Sequence, residues 1–287
     1  MYEERISSKW RNDCYYAHLS IYHFAVQFCE NKIVLDAGCG NGYGTLYLAE
    51  NGVKKIFGID SDQHAIDEAR TTSHPNVSFA CGDLRCIDHS DAQYDVIFAS
   101  NSLEHVDGVE KFLRRSVLLL KKNGILMVAV PAACTEAAVA EERCNPYHLN
   151  IWSPRQWFTV LTSYFADVRC YTHILEKQDG RVQLNNRPDQ TTISEMDFAF
   201  TEVMLNALYE GRTHTAIFVC HNPVEKDSLP AVGSKIKMVD HSVLRPARSR
   251  WLHPFIWIFY RTLYILRYEG LKSLLQKVWS KATNRIN

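Results

Sequence analysis

Three short stretches carry side chains that could do chemistry. The first is Asp36-Ala37-Gly38-Cys39-Gly40-Asn41-Gly42-Tyr43-Gly44, an acid followed by glycines at alternate positions. Such a run lets the backbone take left-handed conformations and lets a ligand come up against the main chain. A helix starting just beyond it offers unpaired N–H groups to polar or anionic atoms. The second stretch is Asn101-Ser102-Leu103-Glu104-His105 and the third is Asn145-Pro146-Tyr147-His148. An imidazole can take a proton from a hydroxyl near neutral pH, so His105 and His148 are candidate general bases. Each could equally be a structural histidine bonded to backbone.

These stretches need elements to hold them. Ile33-Val34-Leu35 is an apolar run of the kind a buried parallel strand uses, and Thr45 to Ala49 resumes at helical spacing after the glycines. Further strands are expected at Lys55–Asp60, Val77–Cys81, Tyr94–Ser100, Ile125–Pro131 (after Lys121–Gly124 as a helix stop), Val168–His173 and Thr215–Cys220. An amphipathic helix over residues 14–30, with His18 and Tyr22 on it, precedes the first strand, and core packing is its plain role. Helices are also expected over Gln63–Arg70, over Trp152–Phe165 with Ser153-Pro154 at its start, and over Met196–Leu208 in an insert of residues 176–213 that would wall the acceptor site. The alternation predicts an α/β fold with a parallel sheet, helices on both faces and ligands at the strands' C-terminal ends. Asp60 ends the second strand 24 residues beyond Asp36, where a carboxylate can accept from both hydroxyls of a ribose. Capping of the next helix is the other role for it, although Ser61 or Asp62 could do that equally well.

A dinucleotide site would want G-x-G-x-x-G, but its third glycine falls on Tyr43 or Thr45 depending on the starting glycine. The pattern present, acid-x-G-x-G-x-G from Asp36 to Gly42, resembles the first motif of class I S-adenosylmethionine-dependent methyltransferases. The Leu103-Glu104-His105 segment is similar to a pattern common in that family after the fourth strand. The resemblance covers residues 14–222. It implies a Rossmann-like, seven-stranded, mostly parallel sheet and S-adenosylmethionine as cofactor. Asp36, Gly38, Cys39, Gly40 and Gly42 would lie at the methionine part, Asp60 at the ribose, and Asp83 and Leu84 at the adenine, with Ser61 and Asn101 also in the cofactor-binding set. In some relatives, among them small-RNA 2′-hydroxyl enzymes and ubiquinone-pathway O-methyltransferases, an E-x-x-E-H segment helps to hold a divalent ion. Asn101 stands here at the first acid, so a metal is not expected, and Glu104, His105 and His148 would form only a partial site.

The Asn-Pro-aromatic-His segment is similar to ones in bacterial methyltransferases of surface-glycan clusters. The resulting expectation is O-methylation of a sugar hydroxyl in a surface glycan or its lipid-linked precursor. Two alternatives stay open: a noncatalytic S-adenosylmethionine-binding scaffold in a glycan-assembly complex, and O-methylation of a small phenolic, lipid or RNA 2′-hydroxyl acceptor.

The chain of 287 residues has 32 Lys and Arg against 32 Asp and Glu, but the balance is uneven: from Val224 onward there are 12 basic residues against 4 acidic ones. A neutral total and no basic motif on the catalytic part make nucleic acid an unexpected partner. Nine scattered cysteines without a C-x-x-C pair suit a reduced, cytoplasmic protein. After a linker at 223–250, residues 251–287 interleave aromatic and basic residues at helical spacing, as in Trp257, Arg261, Lys272 and Trp279. Such an amphipathic helical extension can lie at an anionic membrane surface, here the inner face, or dock on a glycosyltransferase partner. Packing on its own domain is the third reading of the tail.

Overall fold

The computed structural model describes residues 11–145, 147–176, 184, 191–210 and 213–230. The helices are α1 (Asp13–Cys29), α2 (Tyr43–Glu50), α3 (Gln63–Ala69), α4 (Val109–Leu119), α5 (Glu136–Glu142) and α6 (Pro154–Leu161). The strands are β1 (Ile33–Ala37), β2 (Lys55–Asp60), β3 (Val77–Cys81), β4 (Tyr94–Ser100), β5 (Leu120–Pro131), β6 (Phe165–Leu175), β7 (Phe198–Val203) and β8 (Thr215–Pro223). They form one sheet in the order β3-β2-β1-β4-β5-β8-β6-β7. The first five strands pair in parallel, whereas β8 runs antiparallel to β5 and β6, and β7 antiparallel to β6. Strand order reverses between β1 and β4, and a sheet of this kind binds ligands in the crevice outside that point.

Alternate strand residues feed two separate cores. Leu35, Ile97, Val128 and Phe218 face one layer with α4 and α6, while Val34, Phe98, Met127 and Ile217 face the other with α1 and α2. Continuous apolar runs in β1, β4 and β5 are what burial on both faces requires. At α6, Ser153 forms a capping box with Gln156 and Pro154 takes the first turn. Asp62, not Asp60, caps α3 by accepting from the His64 and Ala65 amides.

Three local expectations change. The sheet has eight strands rather than seven, because Phe198–Val203 is a strand and not part of a helix over Met196–Leu208. Its aromatic and β-branched residues pair with β6 from Cys170↔Val203 to Leu175↔Phe198, and Phe198 and Phe200 stack on His173. The Lys121–Gly124 segment is no helix stop but the start of β5, with a register shift against β4 between Tyr94 and Val96. Trp152 lies before α6, which ends at Leu161. The insert's described residues brace α1, through Thr191 Oγ1 donating to Asp13 Oδ1 at 2.7 Å and through Ile193 and Phe198 against Ala17. The basic tail of 251–287 and the linker beyond residue 230 lie outside the described residues, and among the described residues no helix is long and apolar enough to cross a membrane.

His18 and His173 sit where α1 meets β6. Ser20 Oγ is 2.9 Å from His173 Nε2. Burial pushes the His18 imidazolium down to about 4, and burial followed by the nearby His214 and His18 pushes that of His173 well below its usual value. Both bind a proton less tightly folded than unfolded, so their contribution is intact above about pH 6.5 and is lost as pH falls toward 4. Denaturation of wild type and His173→Gln in parallel should show the wild type losing stability relative to the variant over that interval. A pH-independent difference would remove His173 from this role.

Candidate functional site

The turn between β1 and α2 is shaped by its glycines. Gly38, Gly40 and Gly42 have φ of 88°, 54° and 80°, in the left-handed region. A Cβ on Gly38 would lie 2.4 Å from Ser102 Cβ and one on Gly42 2.6 Å from the Phe79 ring, so both sites are closed to larger residues. Gly40 differs, since nothing lies within 4 Å of where its Cβ would be. The loop therefore packs on protein at its flanks and opens at its centre.

Asp36 lies beneath this loop, 0 % exposed, because it shares the alternate face of β1 that points at α1 and α2. Its carboxylate accepts from Thr45 Oγ1 at 2.6 Å and from Tyr22 Oη at 3.4 Å. Burial raises its pKa to about 7 against the lowering effect of the Thr45 and Tyr22 hydrogen bonds. The side chain thus joins the end of β1 to α1 and α2. Cys39 is similarly buried, its N–H donating to the Ile59 carbonyl and its carbonyl accepting from Gly42 N–H. Asp60 accepts from Gly40 N–H at 2.9 Å and from Asp62 N–H at 2.9 Å, which holds its carboxylate against the glycine loop. Ser61 is exposed beside it.

Asp83 begins a single 3-10 turn over Leu84–Cys86 and holds Arg85 in a bidentate pair, with Nη2 at 2.6 Å. That partner keeps its carboxyl below the ordinary carboxylate range, while Leu84 is buried under the turn. Asn101 follows β4 with φ of 46°, and Ser102 Oγ donates to the Ala37 carbonyl, tying the β1 and β4 ends together. Ser102, Thr45 and Phe79 are loop-shaping residues that sequence reasoning missed. Their only signal was proximity in space.

The two candidate bases meet. His105 closes a 3-10 turn, Leu103–His105, and His148 lies on the loop before α6. Their rings are 4.8 Å apart at 62°. The loop is clasped by backbone bonds: Leu149 N and Asn150 N donate to the Glu104 carbonyl at 2.7 and 3.0 Å, and Asn150 Nδ2 donates to Leu103 and Val106. His105 Nδ1 is 3.1 Å from the Tyr147 carbonyl, which can only accept, so the neutral ring carries its hydrogen there and its lone pair on Nε2. His148 Nδ1 is 2.6 Å from Glu142 Oε2. Glu104 is 2 % exposed, and one donor atom from each of Glu104, His105 and His148 lies within 4.8 Å of the others, so the conditional metal set is brought together. Two imidazoles and one carboxylate suit a borderline transition ion better than Mg²⁺. Glu104, Glu142 and His148 line a cavity of about 10 Å³, room for one water-sized guest. Tyr147 and Leu149, 51 % and 57 % exposed, flank His148 along the chain. A separate cleft of about 550 Å³, lined by Tyr15, Tyr43, Tyr47, Glu50 and Glu195, meets the glycine loop at Asn41.

Residues 34–124 match the family model of a methyltransferase domain. Among curated relatives, the chain is 28% identical over 131 residues to a probable S-adenosylmethionine-dependent methyltransferase of Mycolicibacterium smegmatis, covering 46% of this chain and 50% of that one. It is 29% identical over 180 residues to the ubiquinone biosynthesis O-methyltransferase of Bradyrhizobium diazoefficiens, covering 59% and 69%. The match thus spans about half the length of the first of these. An S-adenosylmethionine-dependent methyltransferase of Thermotoga maritima superposes with a TM-score of 0.55 at 15% identity, over 72% of this chain and 90% of that one. The fold is the Rossmann-like fold of these methyltransferases, and S-adenosylmethionine is the cofactor the matching family implies.

Because Asp36 holds a proton more tightly folded than unfolded, its contribution is fully present below about pH 4 and is lost as pH rises through about 7. Asp36→Asn should therefore gain stability relative to wild type across that interval, on the order of 3–4 kcal/mol in the limit of no relaxation. Urea denaturation from pH 4 to 8 measures it, and a constant difference would mean that Asp36 ionises without cost.

Proposed function

We propose that this chain transfers a methyl group from S-adenosylmethionine to a hydroxyl acceptor. The observation that carries the reading is the convergence of His105 and His148 beside the strand ends that hold the glycine loop. The loop fits the cofactor on two counts. Gly40 leaves its centre open, and Asn41 Oδ1 is enclosed without a hydrogen-bond partner among the described residues, which suits a ligand N–H. Gly38 to Gly42 would hold the methionine part by backbone groups, Asp60 the ribose hydroxyls, and Asp83 with Leu84 the adenine. When bound, the cofactor supplies a methyl group on a positively charged sulfur. The chain's own work is to hold the acceptor oxygen in line and to receive its proton on an imidazole nitrogen.

The acceptor we favour is a sugar hydroxyl of a bacterial surface glycan or its lipid-linked precursor. Support comes from the Asn145–His148 segment and from exposed Tyr147 and Leu149, which offer an apolar face to a sugar ring beside the base. A phenolic acceptor is the second reading, favoured by the similarity to the Bradyrhizobium ubiquinone-pathway enzyme. The basic tail would attach the enzyme to an anionic membrane surface or to a glycan-assembly partner. A noncatalytic scaffold would bind cofactor yet release no S-adenosylhomocysteine with any acceptor, so turnover separates it from an enzyme.

Asp60→Ala should weaken S-adenosylmethionine binding by about 1–3 kcal/mol through loss of charge-assisted hydrogen bonds. Isothermal calorimetry with unchanged affinity in the variant would sink the ribose assignment. Replacing the productive histidine by alanine should lower turnover by roughly a hundredfold to ten-thousandfold with cofactor affinity retained. Wild-type rates in both His105→Ala and His148→Ala would show that no side-chain base is needed, and loss of activity on chelation, restored by a divalent cation, would instead favour the metal set.

A further inference from the structure

We infer that Glu142 is a positioning residue for His148, fixing which ring nitrogen faces the acceptor; the inference rests on the methyl-transfer reading for its purpose but not for its geometry. Glu142 is the last residue of α5, a helix started by Thr135, whose side chain accepts from Ala138 N–H. A carboxylate at a helix C-terminus meets the negative end of the backbone dipole and is unfavourable there unless something offsets it. What offsets it here is the His148 ring, whose Nδ1 lies 2.6 Å from Glu142 Oε2, with the two side chains only 13% and 16% exposed. The shortness of the contact and the shielding of both groups set it apart from ordinary surface pairs, such as Arg169 with Asp167 at 3.2 Å and 47% and 40% exposure.

A carboxylate can only accept. The hydrogen of neutral His148 therefore sits on Nδ1, and Nε2 is left as the acceptor nitrogen. Glu142 and His148 line the same small cavity as Glu104, and the His148 ring is 4.8 Å from that of His105. Glu142 thus fixes both the tautomer and the tilt of the ring, so that the nitrogen on the far side from Glu142 carries a lone pair and not an N–H. The partner of His105 is of another kind: its Nδ1 bonds a neutral backbone carbonyl at 3.1 Å, and its side chain is 32% exposed. The oriented imidazole is accordingly that of His148, and the acceptor class it selects is one that donates a hydrogen bond.

The test reads the tautomer directly. Full-length protein labelled with ¹⁵N-histidine is observed by long-range ¹H–¹⁵N correlation at a pH where the rings are neutral, with the His148 signals assigned by their loss in His148→Gln. Wild type should show His148 with its hydrogen on Nδ1. Glu142→Ala should move it to the Nε2–H form that an unconstrained imidazole favours, and Glu142→Gln, whose amide oxygen still accepts, should keep the wild-type form. An Nε2–H ring in wild type, or the same tautomer in wild type and Glu142→Ala, overturns the inference. If Glu142→Ala does not fold by circular dichroism, the wild-type and Glu142→Gln spectra decide it. Calorimetry with S-adenosylmethionine on the same samples keeps the two ideas apart: a protein that holds the Nδ1–H tautomer but binds no cofactor would refute the methyl-transfer reading and leave the role of Glu142 standing.

Discussion

A single buried carboxylate constrains the ligand-binding edge. Asp36 points into the α1–α2 layer because β1 alternates its side chains and Val34, two residues earlier, faces that core. A charge-bearing group there must be hydrogen-bonded, and the bonds come from the first turn of α2, through Thr45, and from the middle of α1, through Tyr22. Satisfying Asp36 therefore docks both helices against the end of β1. Gly44 makes the docking feasible, since a Cβ there would lie 2.1 Å from the Tyr22 ring. With α2 pulled in this close, the chain between Asp36 and Tyr43 has to turn within six residues, and left-handed glycines are the means of doing so.

The histidine loop is held by different physics. Its bonds run to backbone carbonyls of residues 103–106, mainly from its own amides and from the Asn150 side chain. Each such bond is worth about 1 kcal/mol net, and together they fix the path of the chain without specifying the outward side chains. Tyr147 and Leu149 are free to differ without disturbing His148. The path of the histidine loop is set by main-chain bonds, the His148 ring is held by Glu142, and the outer surface of the loop is set by exposed residues.

Much of this was legible in the sequence where one local signal dominates. The apolar runs of β1, β4 and β5, the Ser153-Pro154 start of α6 and the acid-glycine pattern each have one physical explanation, and each stands where it was expected. The misses occur where a tertiary partner decides. Phe198–Val203 has helix-compatible spacing from Met196 to Leu208, and only the free edge of β6 makes it a strand. Which face of β1 Asp36 occupies is not revealed by the apolar run around it. Glu142 carries no local signal in Ala-Glu-Glu-Arg; its contact is with a histidine six residues on, brought back by a turn.

The candidate site is only partly spanned by the methyltransferase-domain match. The methyltransferase-domain match covers residues 34–124, and so takes in the glycine loop, Asp60, Asp83 and the Glu104-His105 turn, but stops short of Glu142 and His148. Asp36 and the flanks of the glycine loop are anchored against two buried cores, where a change of one methylene is felt. Glu142 and His148 stand on a helix end and on a loop held to residues 103–106 by backbone bonds, where exposed side chains such as Tyr147 and Leu149 can change without moving that backbone. On the reading proposed above, the search for the acceptor therefore starts from the Glu142–Asn150 segment and not from the motif that identifies the fold.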